Sequence, residues 1–266
     1  MGVIWTIYTT AIKETIAYRF SMMLSVITGP LFLGIYMIIW KSLYGSRDVL
    51  GGFTFDQLML YFLITIVSNY LLWDDTSDNL KDLIADGKLS VFLLKPISFL
   101  WYEFWKKVGD RSVAFVLEFI PVLLIAGFMI GFGAIKNIHF FYYAGAMAVA
   151  FVISYLINFL LGMLAFWFVQ PFGLIWIYRS VSVFLQGFMF PLSFYPPLAQ
   201  KFLFALPFQF LGFVPAQLAQ GSYELGSISL HPLLVLVYGL FHAFLLVIVA
   251  TLLWKFALKK FSGAGI

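Results

Sequence analysis

The sequence predicts an all-α, polytopic membrane protein in which six transmembrane helices form a single domain over residues 1–266. Two observations predict this fold class. Hydrophobic residues make up 63% of the chain and charged residues only 11%, whereas roughly 45 to 50% of the residues in a soluble domain are apolar. Several uncharged stretches are also longer than the ~18 residues that indicate a membrane-spanning helix. The lipid bilayer is therefore the expected environment of this chain.

Other features of the composition exclude several kinds of site. The chain contains no cysteine, which excludes thiol catalysis, disulfides and thiolate metal sites. Its formal net charge of +4 gives no indication of a nucleic-acid partner. His139, His231 and His242 lie far apart without acidic residues at ligand spacing, so we expect no metal site.

The six predicted spans are separated by charged residues or by helix breakers. The uncharged stretch Asn137–Tyr178 has forty-two residues, too many for one helix across a ~30 Å hydrocarbon core. It divides near Pro171 and Gly173, because proline removes a backbone N–H and glycine loosens the backbone. The predicted spans are residues 20–43, 55–73, 112–135, 143–168, 174–192 and 232–255.

Residues 1–19 are predicted to form an interfacial amphipathic helix before the first span. Apolar residues recur every four positions and polar residues lie on the opposite face, which is typical of a helix in the membrane interface. The apolar positions are Ile4, Tyr8, Ile12 and Ile16, and the polar positions are Thr6, Thr10 and Lys13.

The distribution of basic residues decides the topology of the segment 196–221. Six spans place both termini on one side, together with twelve of the sixteen Lys and Arg residues. The positive-inside rule makes that side cytoplasmic, and a seventh span would move the C-terminal lysines to the outside. We therefore expect residues 196–221 to form a re-entrant hairpin of two short helices, which enters the outer leaflet and turns at Pro207. A loop lying on the surface is the alternative.

The segment 74–111 is the predicted cytoplasmic loop between the second and third spans. It carries seven of the twelve acidic and six of the sixteen basic residues, so we expect it to contact something water-soluble. Its first half has N-capping and acidic residues at the start and Gly87 at the end, which predicts a helix of about three turns. Its apolar face holds Leu80, Leu83 and Ile84, and its polar face holds Lys81, Asp82 and Asp86. An ordinary solvated loop helix is the alternative.

Proline shapes the chain that follows this helix. We expect Pro96 to hold Lys95 in an extended conformation, because a residue before proline is restricted in that way. Residues 91–94 would then pack beneath the helix.

Two groups of motifs resemble the membrane subunits of type-2 ABC exporters. Ile84-Ala85-Asp86-Gly87-Lys88-Leu89, followed by Leu93-Leu94-Lys95-Pro96-Ile97-Ser98, resembles the loop after the second span of these permeases. Phe190-Pro191-Leu192, Tyr195-Pro196-Pro197, Leu206-Pro207-Phe208 and Pro215 with Gly221 are similar to the proline-rich outer hairpin between their last two spans. In this order and spacing, the resemblance covers essentially the whole chain.

The resemblance implies a permease that has no catalytic residues and binds no cofactor itself. Two ABC ATPase subunits would bind ATP and Mg, and a second permease, identical or paralogous, would complete the complex in the cell membrane of a prokaryote, with both termini cytoplasmic. Consistent with this, the Gly87-Lys88 pair lacks the upstream glycine of a phosphate-binding loop. The residues implied to couple to the ATPase are Leu80, Asp82, Leu83, Ile84, Asp86, Gly87, Lys88, Leu94, Lys95 and Pro96, and those implied to shape the hairpin are Pro191, Pro196, Pro197, Pro207, Pro215 and Gly221.

Polar residues inside the predicted spans are candidates for contact with a transported molecule, since a charge at the bilayer centre costs at least ~2.5 to 3.5 kcal/mol. The candidates are Asn69, Glu118, Arg179, Ser182 and Gln186. A structural role is the alternative for each. Glu118 could form an ion pair with a cation such as Arg179, and the amides and hydroxyls could form hydrogen bonds between helices.

Two other functions stay open on the sequence alone. A polytopic membrane enzyme would need a clustered acid, base or metal-binding motif near one membrane face, and the sequence has no visible motif of that kind. A secondary transporter commonly has inverted repeats and several intramembrane ionisable groups, whereas this sequence has no obvious repeat and one deeply placed acid, Glu118. The aromatic content of 20% suits amphipathic or hydrophobic cargo, but it suits lipid contact and interfacial aromatic belts equally.

Overall fold

The computed structural model of the chain describes residues 2–136, 138–168 and 170–260, and it is almost entirely helical. The helices are α1 (Val3–Ala17), α2 (Arg19–Ser25), α3 (Thr28–Tyr44), α4 (Phe55–Leu72), α5 (Thr76–Ala85), α6 (Leu89–Phe92), α7 (Phe99–Ala114), α8 (Ile120–Ile130), α9 (Phe132–Lys136), α10 (Phe140–Gly162), α11 (Phe172–Leu185), α12 (Pro197–Phe204), α13 (Phe213–Ala219) and α14 (Pro232–Lys260). The predicted all-α fold class is confirmed.

Short irregular elements connect these helices. A π-helical turn, Phe115–Phe119, joins α7 to α8, and 3₁₀ turns cover Met163–Phe166, Leu192–Phe194 and Pro207–Leu211. Two small antiparallel hairpins pair β1 (Val49–Leu50) with β2 (Phe53–Thr54), and β3 (Glu224–Leu225) with β4 (Ile228–Ser229).

Five helical stretches in the described part of the chain are long and apolar enough to cross a membrane. They are Arg19–Tyr44, Phe55–Ala85, Phe99–Ile130, Phe140–Phe166 and Pro232–Lys259. Each overlaps one of the predicted spans, which supports a multi-pass membrane protein.

The remaining predicted span, residues 174–192, corresponds to α11, which has only 14 residues. At 1.5 Å per residue, α11 is about 21 Å long, less than the ~30 Å of a hydrocarbon core. The helix stops early because Gly187 has a φ of +79° and Pro191 follows, neither of which continues an α-helix. The count of six spans therefore stays a prediction.

Helix α4 lies at the centre of the bundle. Residues 58–68 of this helix are all buried, and α3, α8, α10 and α13 pack around it. The phenol of Tyr61, in the middle of α4, donates a 2.6 Å hydrogen bond to the carbonyl of Gly187, where α11 ends. The end of α11 is thus fixed to the core of the protein.

Helix α1 packs along α7, a contact that the sequence pattern did not predict. A methyl group added at Gly109 would come within 2.8 Å of the Ala11 Cβ, so the small residue allows the two helices to approach closely. The Thr15 hydroxyl also donates to Asp110 at 2.6 Å. Ile4 and Ile16, from the predicted apolar face, stay exposed and available to lipid. The interfacial position of α1 remains a prediction.

The segment 196–221 forms two short helices, α12 and α13, with a 3₁₀ turn between them. Every residue of α13 is buried, and the helix packs against α4 and α10. Protein therefore covers the backbone of α13, as broken helices at membrane depth require, whereas half of the residues of α12 are exposed, including Leu198 and Phe202. The re-entrant hairpin in the outer leaflet stays a prediction.

The predicted hairpin residues lie at the breaks between these short elements. Pro191 precedes the 3₁₀ turn Leu192–Phe194, Pro196 caps α12 and Pro197 begins it, Pro207 begins the 3₁₀ turn Pro207–Leu211, Pro215 lies in the first turn of α13, and Gly221, with a φ of +84°, follows the end of α13. The chain breaks on both sides of this 3₁₀ turn, directly before Pro207 and at Gly212, and the turn of the hairpin at Pro207 stays a prediction.

Candidate functional site

A helix lies where the sequence predicts the coupling helix, and its own residues define both of its ends. The Asp74 carboxylate accepts a 2.8 Å hydrogen bond from the backbone N–H of Thr76 at the start of α5. Gly87, just past the end of α5, has a φ of +68°, the left-handed conformation in which glycine commonly terminates a helix. Its coupling role stays a prediction.

The predicted apolar face of α5 packs onto the chain's own helices. Leu80 is fully buried, and a methyl group added at Gly162 of α10 would come within 2.9 Å of its Cβ. Leu83 and Ile84 are half-buried against the same core cluster. Leu80 is therefore unavailable to a partner and holds α5 on the bundle instead.

The other predicted coupling residues lie at or near the surface. Gly87 is half-buried, whereas Asp82, Asp86, Lys88, Leu94, Lys95 and Pro96 are exposed. A 2.6 Å hydrogen bond from the Lys88 amine to Asp86 raises the pKa of Lys88. The exposed residues thus include charges of both signs and one large apolar side chain, Leu94, which is 85% exposed.

The packing expected of residues 91–94 is wrong except at Phe92. Helix α6 is a single turn, so Leu89 and Phe92, three residues apart, share its buried face. The neighbouring Val91, Leu93 and Leu94 are exposed.

A buried ion pair joins the two ends of the segment 74–111. The Lys107 amine lies 2.5 Å from Asp74 Oδ2, and both side chains are almost fully buried. Lys107 also donates to the Ser154 hydroxyl at 3.2 Å, and Ser154 donates to the Leu72 carbonyl at 2.8 Å. The network thereby connects α4, α7 and α10 with the start of α5. Sequence reasoning missed this pair, because the only signal was two opposite charges near the ends of one loop.

Arg179 pairs with α5 and not with Glu118, which corrects the pairing considered from the sequence. Its guanidinium lies 2.5 Å from Asp78 and donates to the Ser77 hydroxyl at 3.2 Å. Glu118 accepts a hydrogen bond from the Ser25 hydroxyl. The reason is placement, since Arg179 of α11 faces α5 whereas Glu118 lies beside the end of α2.

The larger of two adjoining cavities, here called the Glu118 cavity, has a volume of about 630 Å³. Helices α1 to α4 and α7 surround it, and Glu118 itself lies in the π-helical turn between α7 and α8. Pro121, just after this turn, lacks the N–H that a regular helix would use. The lining residues are Glu14, Thr15, Tyr18, Ser21, Met22, Ser25, Thr28, Gly29, Phe32, Ile66, Asn69, Tyr70, Trp73, Asp75, Lys106, Asp110, Arg111, Glu118 and Phe188.

The second cavity, here called the Arg179 cavity, has a volume of about 340 Å³. It brings together four of the predicted polar candidates, Asn69, Arg179, Ser182 and Gln186. Ser182 donates to the backbone carbonyl of Arg179 at 3.0 Å, so part of its hydrogen-bonding capacity serves the helix. The other lining residues are Leu72, Trp73, Asp74, Ser154, Asn158, Tyr178, Val183, Phe188 and Leu211.

Three residues, Asn69, Trp73 and Phe188, line both cavities. Two of them lie at the C-terminal end of α4, directly before α5. All five polar candidates therefore surround one pair of cavities close to the predicted coupling helix. A role for these residues in transport stays a prediction.

The comparison with protein families agrees with this architecture. A family model described as "ABC-2 family transporter protein" matches residues 31–265. A comparison with curated proteins gave no match. The matched region includes all five long apolar helical stretches, at least in part, the whole Arg179 cavity, and the lining of the Glu118 cavity from Phe32 onwards. The chain therefore belongs to the ABC-2 transporter family, as a multi-pass membrane permease.

Proposed function

We propose that this chain is the permease subunit of an ATP-driven exporter and that the segment 74–111 couples it to a separate ATPase. The observation that carries the proposal is the attachment of α5 to residues that line both cavities. A force applied to the exposed face of α5 would reach both cavities through these attachments.

The first attachment runs from α5 to the Arg179 cavity. Asp78 of α5 and Arg179 of α11 form a 2.5 Å ion pair, and Arg179 lines the cavity. Leu80 is packed against Gly162 of α10 at the same time. A displacement of α5 would therefore move both α10 and α11.

The second attachment runs from the start of α5 to the Glu118 cavity. Asp74 joins the Thr76 backbone to Lys107 of α7, and α7 also provides Lys106, Asp110 and Arg111 to the cavity lining. Because the ion pair is buried, water weakens it little. It is therefore suited to transmit a displacement from α5 to α7.

ATP hydrolysis is assigned to partner chains in this proposal. Two ABC ATPase subunits would bind ATP and Mg and contact Asp82, Asp86, Lys88, Leu94 and Lys95. A second permease, identical or paralogous, would complete the transport path in the cell membrane of a prokaryote, with both termini cytoplasmic. The transport cycle of the complex would alternate between two states of the cavities, and nucleotide binding to the ATPase subunits would change which state is populated.

The proposal is tested with a cysteine introduced at Asn69, which lines both cavities, since no native cysteine competes for the reagent. The purified chain carrying Asn69→Cys is labelled with a water-soluble thiol reagent. We expect ATPase subunits plus a non-hydrolysable ATP analogue to change the labelling rate severalfold. The chain without ATPase should show no response to the analogue.

A substitution of Arg179 tests the Asp78–Arg179 pair, and a substitution of Lys201 is the matched control. Arg179→Gln should weaken the nucleotide response while the ATPase still co-purifies, because only the attachment through Asp74 and Lys107 remains. Lys201→Gln, which removes an exposed cation on α12, should leave the response intact. A nucleotide response that is unchanged in Arg179→Gln would contradict the attachment through Arg179. A parent chain that binds no ATPase would contradict the proposed function itself.

A further inference from the structure

The Glu118 cavity carries more acidic than basic groups. Four acidic residues, Glu14, Asp75, Asp110 and Glu118, line it against two basic residues, Lys106 and Arg111. Negative charge in a partly enclosed, low-dielectric cavity attracts cations more strongly than it would in water.

Three of the four acids accept hydrogen bonds from neutral donors. Ser25 donates to Glu118, Thr15 to Asp110, and the Trp73 indole to Asp75 at 3.0 Å. Within the part of the chain that the structure describes, none of the ion pairs involves an acid of this cavity. Arg111 donates instead to the backbone carbonyl of Tyr70 at 3.1 Å. Direct ion pairs therefore do not balance the negative charge of the cavity, and the attraction of Arg111 to Glu118 and Asp110 acts only at longer range.

Glu118 is the least solvent-exposed of the four acids. Glu118 is only 7% exposed, and among the described residues Ser25 alone donates a hydrogen bond to its carboxylate. An ionised carboxylate in such a place is costly unless a cation or a proton neutralises it. A bound cation would therefore gain more at Glu118 than at a surface acid.

Aromatic side chains surround the same space. Tyr18, Phe32, Tyr70, Trp73 and Phe188 all line the cavity. Aromatic faces attract cations, most strongly where water is excluded, and they also bury the apolar body of a ligand. The volume of about 630 Å³ falls in the range of small-molecule sites.

We propose that the Glu118 cavity binds an amphipathic organic cation, whose positive charge lies against Glu118 and whose apolar body lies against the aromatic residues. This inference rests on the proposed function, because it names the chemical class of cargo that the exporter would carry.

The test uses two probes of the same shape and opposite charge, tetraphenylphosphonium and tetraphenylborate. Their equilibrium binding to the full chain in lipid nanodiscs is measured without ATPase or nucleotide, and binding to empty nanodiscs is subtracted. We expect the cation to bind at least about tenfold more tightly than the anion, since a buried charge pair contributes at least that factor. Equal binding of both probes, or no binding of the cation, would overturn the proposal.

Variants of Glu118 assign the effect to this carboxylate. Glu118→Gln should weaken cation binding roughly tenfold or more, whereas Glu118→Asp, which keeps the charge, should retain most of it. Asp48→Asn removes an exposed acid outside both cavities and should change nothing. Cation binding that is unchanged in Glu118→Gln would sink the proposal.

Cation binding and the nucleotide response at Asn69→Cys together distinguish a failure of this inference from a failure of the proposed function. Ser25→Ala removes the hydrogen bond to Glu118 but keeps its carboxylate, so this variant should bind the cation at least as well as the parent chain. It provides a second variant of the site in which binding can be measured even if Glu118→Gln is unstable. Failure of cation binding with an intact nucleotide response at Asn69→Cys would reject only the cargo class. Cation binding without any nucleotide response would reject only the exporter.

Discussion

At the scale of single residues, the Asp74–Lys107 pair is the most deeply buried of the ion pairs among the described residues. Removing one partner of a buried pair leaves an uncompensated charge, which costs much more than the pair itself contributes. The pair also connects three helices through Ser154. Loss of the pair should therefore lower the stability of the whole bundle.

We predict that Asp74→Asn lowers the free energy of unfolding by roughly 3 to 5 kcal/mol. Unfolding of the purified chain in detergent, followed by circular dichroism, measures the change. Asp86→Asn breaks the exposed pair with Lys88 and serves as the control, with no measurable loss expected. The double variant Asp74→Asn, Lys107→Met should recover part of the loss, and equal stability of Asp74→Asn and the parent would contradict the prediction.

Sequence reasoning reached some functional residues and not others, for physical reasons. Asn69, Glu118 and Arg179 stand out because polar groups are costly in an apolar span, and the structure places them around adjoining cavities. The Asp74–Lys107 pair is separated by 33 positions and follows no periodic pattern. Only the packing of α4, α7 and α10 brings the two side chains together.

At the scale of elements, α5 and α6 each have one face buried against this chain and one face exposed. The periodicity of the sequence identified an apolar face of α5, but periodicity alone could not show whether that face packs against this chain or against a partner. The structure assigns Leu80 to the chain's own core and leaves Leu94 exposed. A test of partner contact should therefore use Leu94 and not Leu80.

We predict that Leu94→Asp prevents co-purification of the ATPase without changing the stability of the permease. Leu94 is 85% exposed, so the substitution disturbs little inside this chain, yet it places a charge in the expected interface. Leu198→Asp on α12 is the matched control, because Leu198 is 82% exposed and lies in the predicted outer hairpin. Normal recovery of ATPase with Leu94→Asp would remove this residue from the interface.

Element boundaries could be predicted where the backbone has a local signal. Gly87 ends α5 because its φ is positive, and the prolines of segment 196–221 mark its breaks. The early end of α11 was missed, because hydropathy continues through Gly187 while the backbone turns. The contact of α1 with α7 depends on Gly109, and a single small residue gives no periodic signal.

At the scale of the whole molecule, the length of α11 makes the number of crossings an experimental question. If α11 and the chain after it cross the membrane, Ala85 and Ser227 lie on opposite sides, since three spans separate them. If they do not cross, two spans separate these residues and both lie on the same side. Both side chains are exposed.

We predict that Ser227→Cys reacts with an impermeant thiol reagent added to sealed cells and that Ala85→Cys reacts only after the cells are opened. The absence of native cysteine makes each signal unambiguous. Ser46→Cys, in the exposed loop between the first two spans, provides the outside reference. If Ser227→Cys behaves like Ala85→Cys and not like Ser46→Cys, the six-span topology is wrong.

Asn69, Trp73 and Phe188 each line both cavities, so they lie where the two spaces adjoin. In the proposed transport path, a molecule passing from one cavity to the other would have to move past these side chains. The size of molecule that can pass would then depend on how far the indole of Trp73 and the phenyl ring of Phe188 can move, and not on the volume of either cavity. Smaller side chains at these positions would let molecules cross between the cavities while the other lining residues of each cavity stay unchanged.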